Sequence, residues 1–357
     1  MGGESENGPG ALPPLRWLSR ADVVAAMPPL EERLRLAELT MIALARPGAS
    51  QLPPKIAIHP RPEASFVHAM PSHLRGDDPS GDLVGMKWVA GYATNTARGL
   101  PGIHATVIVN DPQTGIPTAI LDGGPITAER TAAVSGVAVR HWGPIAGAGA
   151  FGPGDGGGAG AGAATDVDVA IIGAGVQGHS HLAVFAGLLP GMRLHVFDRS
   201  PERAEALAAT ARATDGIAGA TTHLTAREAV EVSNLVLTAA SFGPPEERQS
   251  MTNAWLRPDA TVIPIDYATY AAAEVAREAA LFLVDQREQY LANRDAGNFD
   301  GYPDPMATIG EALLAGTKRP EGRVVVTHLG VGLADLVFAD AIVRSAEAQG
   351  LGTILPR

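Results

Sequence analysis

The chain has 357 residues, more than one ordinary core accommodates, and 46% of them are hydrophobic, so two domains with sizeable cores are expected. A formal net charge of −11, with no Lys/Arg cluster or interleaved aromatic stripe, excludes a general nucleic-acid surface. The absence of cysteine excludes disulfides, thiolate catalysis and cysteine-type zinc sites.

Residues 1–14 are Gly/Pro/polar and are expected to form a disordered tail. The tail lacks the basic and apolar regions of a secretory signal, and Ser5 falls one residue early for a myristoylation pattern. With no apolar run of membrane-spanning length, a cytoplasmic protein without membrane contact is expected. Ser19 suits the N-cap of a helix through Met27, and Pro29 to Ala45 shows the apolar spacing of an amphipathic helix. Ile56 and Ile58 alternate as a short strand, and Phe66 to Met70 follows after a Pro-rich turn. Leu83 to Val89 and Ala105 to Val109 are further strands. Asp111 to Gly115 has hairpin-turn chemistry, with Thr118 to Leu121 as the return strand. Ile126 to Trp142 reads as one long helix. Residues 143–164, mostly Gly and Ala, read as a flexible linker.

Strands and helices alternate beyond it. Val169–Ile172, Leu194–Phe197, Leu235–Thr238, Thr261–Ile265 and Leu281–Val284 are the expected strands, with helices such as Pro201–Ala213 and Ala226–Val230 between them. That alternation predicts a doubly wound parallel sheet. Thr308 with Glu311 marks the start of a short helix, and Leu333 to Gln349 is a long terminal helix stopped by Gly350.

The first of these strands runs directly into Gly173-Ala174-Gly175-Val176-Gln177-Gly178. Gly173 would allow the tight turn, Gly175 the approach of a pyrophosphate, and Gly178 close packing of helix on strand. The helix start offers free N–H groups to phosphates. The next strand ends in Asp198, where an acid would accept hydrogen bonds from an adenosine ribose. This context points to a dinucleotide-binding domain.

Lys87 lies within an apolar strand, a costly position unless the lysine faces water at a sheet edge, is paired, or has a role. Arg130 follows Thr127-Ala128-Glu129 near a helix start, where a cation opposes the macrodipole. With Lys55, these cations could converge on a carboxylate. Asp266 follows a strand on the side where open α/β sheets bind ligands; it is either an acid/base or a turn aspartate. His68 and His104 form no metal-spaced cluster, and no metal is expected.

The stretch Lys87 to Ala133 resembles the ornithine cyclodeaminase/μ-crystallin family. The family pattern is a lysine on a strand, an N-x-x-x-G-L-P segment, a D-x-x-T-G-x-P hairpin and T-A-x-R-T-A-A. These correspond to Lys87; Asn95 with Gly99-Leu100-Pro101; Asp111, Thr114, Gly115 and Pro117; and Thr127 to Ala133. The resemblance, spanning about residues 17–350, implies a homodimer whose Rossmann domain (165–324) is inserted into a discontinuous α+β substrate and dimerisation domain (15–142 plus 325–357). It implies that Lys87 and Arg130 bind a substrate α-carboxylate, joined by Lys55 and, near the substrate side chain, His68. It further implies that Asp266 is catalytic together with Lys87. Thr131, Gly173 to Gly178 and Thr238 would meet the dinucleotide, and Asp198 its ribose. NAD is the implied cofactor; Arg199 leaves NADP open, because a guanidinium there could meet a 2′-phosphate. The implied substrate is a small amino or imino acid. The family's chemistry would be hydride transfer at the α-carbon, as in a dehydrogenase or ketimine reductase. The alternatives are cyclodeamination with ammonia release, and nucleotide binding without catalysis. This chain departs from the cyclodeaminase pattern in having Lys55 for an arginine and His68 for a glutamate.

Overall fold

The computed structural model describes residues 12–62, 65–144, 166–241 and 247–357. The tail expectation for residues 1–11 and the linker expectation for 145–164 lie outside the described residues. In chain order the elements are β1 (Leu15–Leu18), α1 (Arg20–Ala25), α2 (Leu30–Ala45), β2 (Ser50–Gln51), β3 (Ile56–Ile58), β4 (Phe66–Leu74), β5 (Leu83–Gly91), β6 (Ile103–Asn110), β7 (Pro117–Asp122) and α3 (Gly123–Trp142). There follow β8 (Asp168–Ile172), α4 (Val176–Leu188), β9 (Met192–Phe197), α5 (Pro201–Arg212), β10 (Ile217–Thr222), α6 (Ala226–Glu231), β11 (Leu235–Thr238) and β12 (Thr261–Pro264). The chain closes with α7 (Ala273–Arg277), β13 (Leu281–Val284), α8 (Arg287–Asp295), β14 (Ala307–Thr308), α9 (Ile309–Leu314), β15 (Val324–Thr327), α10 (Gly332–Gln349) and β16 (Thr353–Leu355). Among the described residues no helix is long and apolar enough to cross a membrane.

Local signals set many of these limits. Ser19 and Asp22 form a capping box on α1, and Thr308 and Glu311 form one on α9. Gly350 ends α10 in the left-handed region, at φ 67°. One boundary differs in a way that matters: α3 begins at Gly123, three residues before the expected start. Arg130 therefore lies two turns inside the helix, past the reach of the N-terminal dipole.

The chain divides into two compact units, one of 1–29, 46–127 and 331–357, the other of 30–45 and 128–330. In the first, a sheet runs β16-β1-β7-β6-β5-β4-β2, with β3 also on β4. Only β1 and β7 pair in parallel; the other pairs are antiparallel. Helix α10 covers β4, β5 and β6. A Cβ at Gly332 would sit 2.8 Å from the Met70 carbonyl oxygen, so α10 starts directly against the backbone of β4.

The second unit holds an all-parallel sheet in the order β10-β9-β8-β11-β12-β15-β13-β14. Strands β11, β12, β13 and β15 are buried throughout, as their continuous apolar runs require. The chain moves outward from β8 through β9 to β10, then returns to the other side of β8 at β11. That reversal is the switch point of a Rossmann-type doubly wound fold.

Helix α2 groups with the second unit, although its sequence position suggested the first. The reason is packing: a Cβ on Gly310 of α9 would overlap the Met41 carbonyl, so α2 and α9 meet backbone to backbone. Arg33 and Glu31 of α2 also pair with Glu129 and Arg140 of α3.

Candidate functional site

In the second unit, β8 delivers Gly173 at φ 109°, where a Cβ would lie 2.5 Å from the Ala239 carbonyl oxygen just past β11. A Cβ on Gly178 would lie 2.5 Å from the Gly173 carbonyl oxygen. Both positions therefore need glycine for close approach. Gly175 differs: a Cβ there would meet nothing within 4 Å. It caps α4 without any side-chain hydrogen bond, so the first-turn N–H groups point into open space. A hollow beside it is lined by Phe197, Asp198, Arg199, Arg203 and Tyr270. The geometry suits a diphosphate with a nucleoside on either side.

Asp198 stands where the sequence placed it, and its carboxylate is already engaged. It accepts the Ala174 N–H at 2.9 Å, the Ser200 N–H at 2.8 Å and an Arg203 N–H at 3.0 Å. Arg203, which sequence reading passed over, thus shares this hollow with Arg199. Thr238 ends β11 fully buried, next to Asp266.

Asp266 follows β12 at its carboxyl end and is 5% exposed. Its carboxyl is pushed up to about 6 by burial, against the opposing pull of Thr238 and of the Ala240, Thr269 and Tyr270 backbone. The next two residues, Tyr267 and Ala268, hold φ 54° and 59°, a conformation that non-glycine residues adopt at a cost. The turn is held by the Tyr267 hydroxyl, which donates to the Leu329 carbonyl at 3.1 Å, and by the Thr269 hydroxyl, which donates to the Asp266 carbonyl at 2.6 Å. A strained turn that buries an acid of this pKa has the character of an acid/base site.

Arg130 and Thr131 are 6% and 7% exposed on α3. Gly330, at φ 76°, makes room for the Arg130 guanidinium; a Cβ there would come within 2.5 Å of Nη1. The Leu329 and Gly330 N–H groups both donate to Asp285, at 2.9 and 2.8 Å, which fixes the loop beneath that guanidinium.

In the first unit, Lys87 is not at a sheet edge. It lies on β5, between β4 and β6, with Met70 and Val107 as its cross-strand neighbours. Its Nζ donates to Asp335 Oδ1 of α10 at 2.9 Å, and the residues are 2% and 0% exposed. The expensive lysine is thus paired, and each partner makes further interactions. Asp335 was missed in the sequence, where its only local mark is an acid in the first turn of a helix.

His68 lies on β4 on the same face as Met70 and Lys87. Burial first, then the nearby Lys55, His59 and Lys87, pull its imidazole down to about 4, so it is neutral at ordinary pH. Lys55 immediately precedes β3, which pairs with β4. Lys55, His68 and Lys87 are therefore brought together in the first unit, while Arg130, Thr131, Asp266 and the glycine turn belong to the second. His104 is exposed. Among the described residues no group of three or more His, Asp or Glu could hold a metal ion.

A family model described as "Ornithine cyclodeaminase/mu-crystallin family" matches residues 20–152. Among curated proteins, the chain is 29% identical over 352 residues to the nodulation efficiency protein NfeD of Rhizobium meliloti, covering 96% of this chain and 99% of that protein. It is 27% identical over 325 residues to ketimine reductase mu-crystallin of Mus musculus, covering 89% and 91%. Among solved structures, the Δ1-pyrroline-2-carboxylate reductase of Thermococcus litoralis, in complex with NADH and L-proline, matches with a TM-score of 0.76 at 24% identity, covering 95% and 99%. That last likeness is one of fold.

Proposed function

The chain belongs to the ornithine cyclodeaminase/μ-crystallin family, and from that premise we propose that it is an NAD-dependent enzyme of amino-acid dehydrogenase or ketimine reductase type. Its substrate would be a small amino or imino acid. The observation that carries this reading is Asp266: a buried carboxyl with pKa about 6, on the same strand-end side of the parallel sheet as the open glycine turn.

When bound, NAD supplies a hydride acceptor, and NADH a hydride donor, for the substrate α-carbon. The open N–H groups at Gly175 and Val176 would hold the diphosphate, with Asp198 at the ribose and Thr131 and Thr238 completing the pocket. Arg130 would bind the α-carboxylate through its planar pair of N–H donors. In the first unit, Lys87 would offer its ammonium to a substrate carboxylate. The bond to Asp335 uses one of the three Nζ–H donors and fixes the direction of the ammonium. Lys55 adds positive charge, and neutral His68 would face the substrate side chain. Asp266 would take a proton from the substrate nitrogen as ionised carboxylate, or return one as the acid; a pKa of about 6 keeps both forms accessible within about a unit of that pH. Residues 15–29, 46–127 and 331–357, the first unit, would supply the substrate-binding and dimerisation surface, and a homodimer is the expected assembly.

The test is incubation of the protein with NAD and a panel of amino acids, then with NADH and cyclic imines, following NADH absorbance and ammonia together. Net NADH change supports the proposal. Ammonia and a cyclic product without net NADH change would instead make the protein a cyclodeaminase. Tight NADH binding with no turnover would leave a non-catalytic binding protein.

A further inference from the structure

From the Gln177 carbonyl of the dinucleotide turn, a hydrogen-bonded chain runs through three buried residues of the second unit, His181, Ser135 and His328, that the reading above does not use. His181 Nδ1 lies 2.7 Å from the Gln177 carbonyl oxygen. The Ser135 hydroxyl lies 2.8 Å from His181 Nε2 and 2.9 Å from His328 Nε2. Ser135 and His181 are 0% exposed and His328 is 2% exposed. Burial drives the His181 imidazole down to about 4. Burial, then His181 and Arg130, push His328 well below its usual value, so both rings are neutral.

Neutrality settles every proton in this chain. A carbonyl only accepts, so His181 carries its proton on Nδ1 and offers a lone pair at Nε2. The Ser135 hydroxyl donates to that lone pair, and its oxygen accepts from His328, which must carry its proton on Nε2. His328 Nδ1 is left as an acceptor, and it is buried with no hydrogen-bond partner among the described residues. A buried acceptor without a donor is costly, and retaining one points to a ligand.

The place of His328 indicates which ligand. It directly follows β15, at the strand ends where a parallel sheet of this kind binds ligands. The chain that fixes it starts at Gln177, inside the dinucleotide turn. The loop carrying it is held by Asp285. Arg130 lies near enough to act on the His328 charge, which disfavours a cationic donor. A neutral amide N–H fits best.

We propose that His328 Nδ1, locked as an acceptor by Ser135 and His181, receives the carboxamide N–H of the nicotinamide ring. This rests on the NAD reading above. His328 is then a cofactor-binding residue, and Ser135 and His181 are positioning residues that act through it.

The test compares NADH with reduced 3-acetylpyridine adenine dinucleotide, which replaces the carboxamide NH2 by a methyl group. Binding is measured by fluorescence titration or calorimetry, with ADP-ribose as a ligand that lacks the ring. Wild type should prefer NADH about tenfold, the usual consequence of leaving a buried acceptor unsatisfied. His328→Leu should bring the two affinities within about twofold and leave ADP-ribose binding unchanged, which also shows that the variant folds. Ser135→Ala should reduce the preference several-fold, and Ser135→Thr should restore it. Nitrogen NMR of the unliganded protein should find the His328 proton on Nε2. An equal NADH preference in wild type and His328→Leu, or a proton on Nδ1, overturns the proposal. Failure of wild type to bind either dinucleotide removes the cofactor reading and this one with it; NADH binding without discrimination removes this one alone.

Discussion

Replacing Asp335 with leucine removes the carboxylate that pairs with the buried Lys87 ammonium. The charged atoms are 2.9 Å apart, and the side chains are 2% and 0% exposed. At an effective dielectric of about 20, charges at that separation attract by about 6 kcal/mol. Desolvating the two ions costs several kcal/mol each, so the intact pair adds little net stability. Losing one partner keeps the desolvation cost and discards the attraction, a deficit of about 3–5 kcal/mol. At about 2–4 °C per kcal/mol, the unfolding temperature falls by roughly 10 °C. Asp335→Asn keeps hydrogen-bonding capacity, so it isolates the charge. Lys87→Met combined with Asp335→Leu removes both buried charges and should recover most of the loss. Thermal unfolding followed by circular dichroism, on wild type, Lys87→Met, Asp335→Leu and the double, closes the cycle. A D335L protein within about 1 kcal/mol of wild type refutes the reasoning, as does a double variant no more stable than D335L. A separate variant tests function: Lys87→Ala should abolish turnover and leave NADH binding nearly intact.

Three further expectations come from the second unit. Asp266 has its folded pKa raised from 3.8 to about 6, so the folded protein binds the extra proton between those values. Its contribution to stability therefore declines as pH rises from about 4 to about 6, by up to about 3 kcal/mol, and is flat above. Urea unfolding against pH should lose this decline in Asp266→Asn; an unchanged profile would put the titration elsewhere. In the same variant kcat should fall at least about a hundredfold, and the limb of kcat/KM near pH 6 should vanish. Gly175→Val fills the open space above the turn without meeting any neighbour within 4 Å. NADH affinity should drop more than about tenfold with the unfolding temperature nearly unchanged, whereas Gly178→Val, pressed against Gly173, should lose stability outright. Gly330→Ala forces a Cβ against the Arg130 guanidinium at φ 76°. It should raise KM for a carboxylate substrate and cost about 1–3 kcal/mol, with cofactor affinity retained. An unaltered KM would detach Arg130 from the substrate.

Much of this protein is written in short stretches of its sequence. The β8–glycine–α4 turn, the capping boxes at Ser19 and Thr308, the stop at Gly350 and the hairpin after β6 all appear where local chemistry places them. Each depends on residues within a few positions, so spacing and residue type suffice. The short strands β1 and β16 were not legible, because each is defined by its distant partner: Leu15 lies opposite Leu355. β10 escaped for a related reason, since Ile217 to Thr222 is a half-exposed edge strand without an apolar run.

The site divides along the same line. Local residue order marks out the dinucleotide turn and singles out Lys87, Arg130 and Asp266 as residues whose positions need an explanation. What surrounds them comes from the fold. It put Asp335, 248 positions away in the chain, on the Lys87 ammonium. It buried Asp266 deeply enough to raise its pKa to about 6. It joined Ser135, His181 and His328 from three separate elements into one hydrogen-bonded chain. A residue's type and its neighbours in sequence are local facts. Desolvation and charge pairing depend on what packs against it from elsewhere, and only the folded chain contains that information.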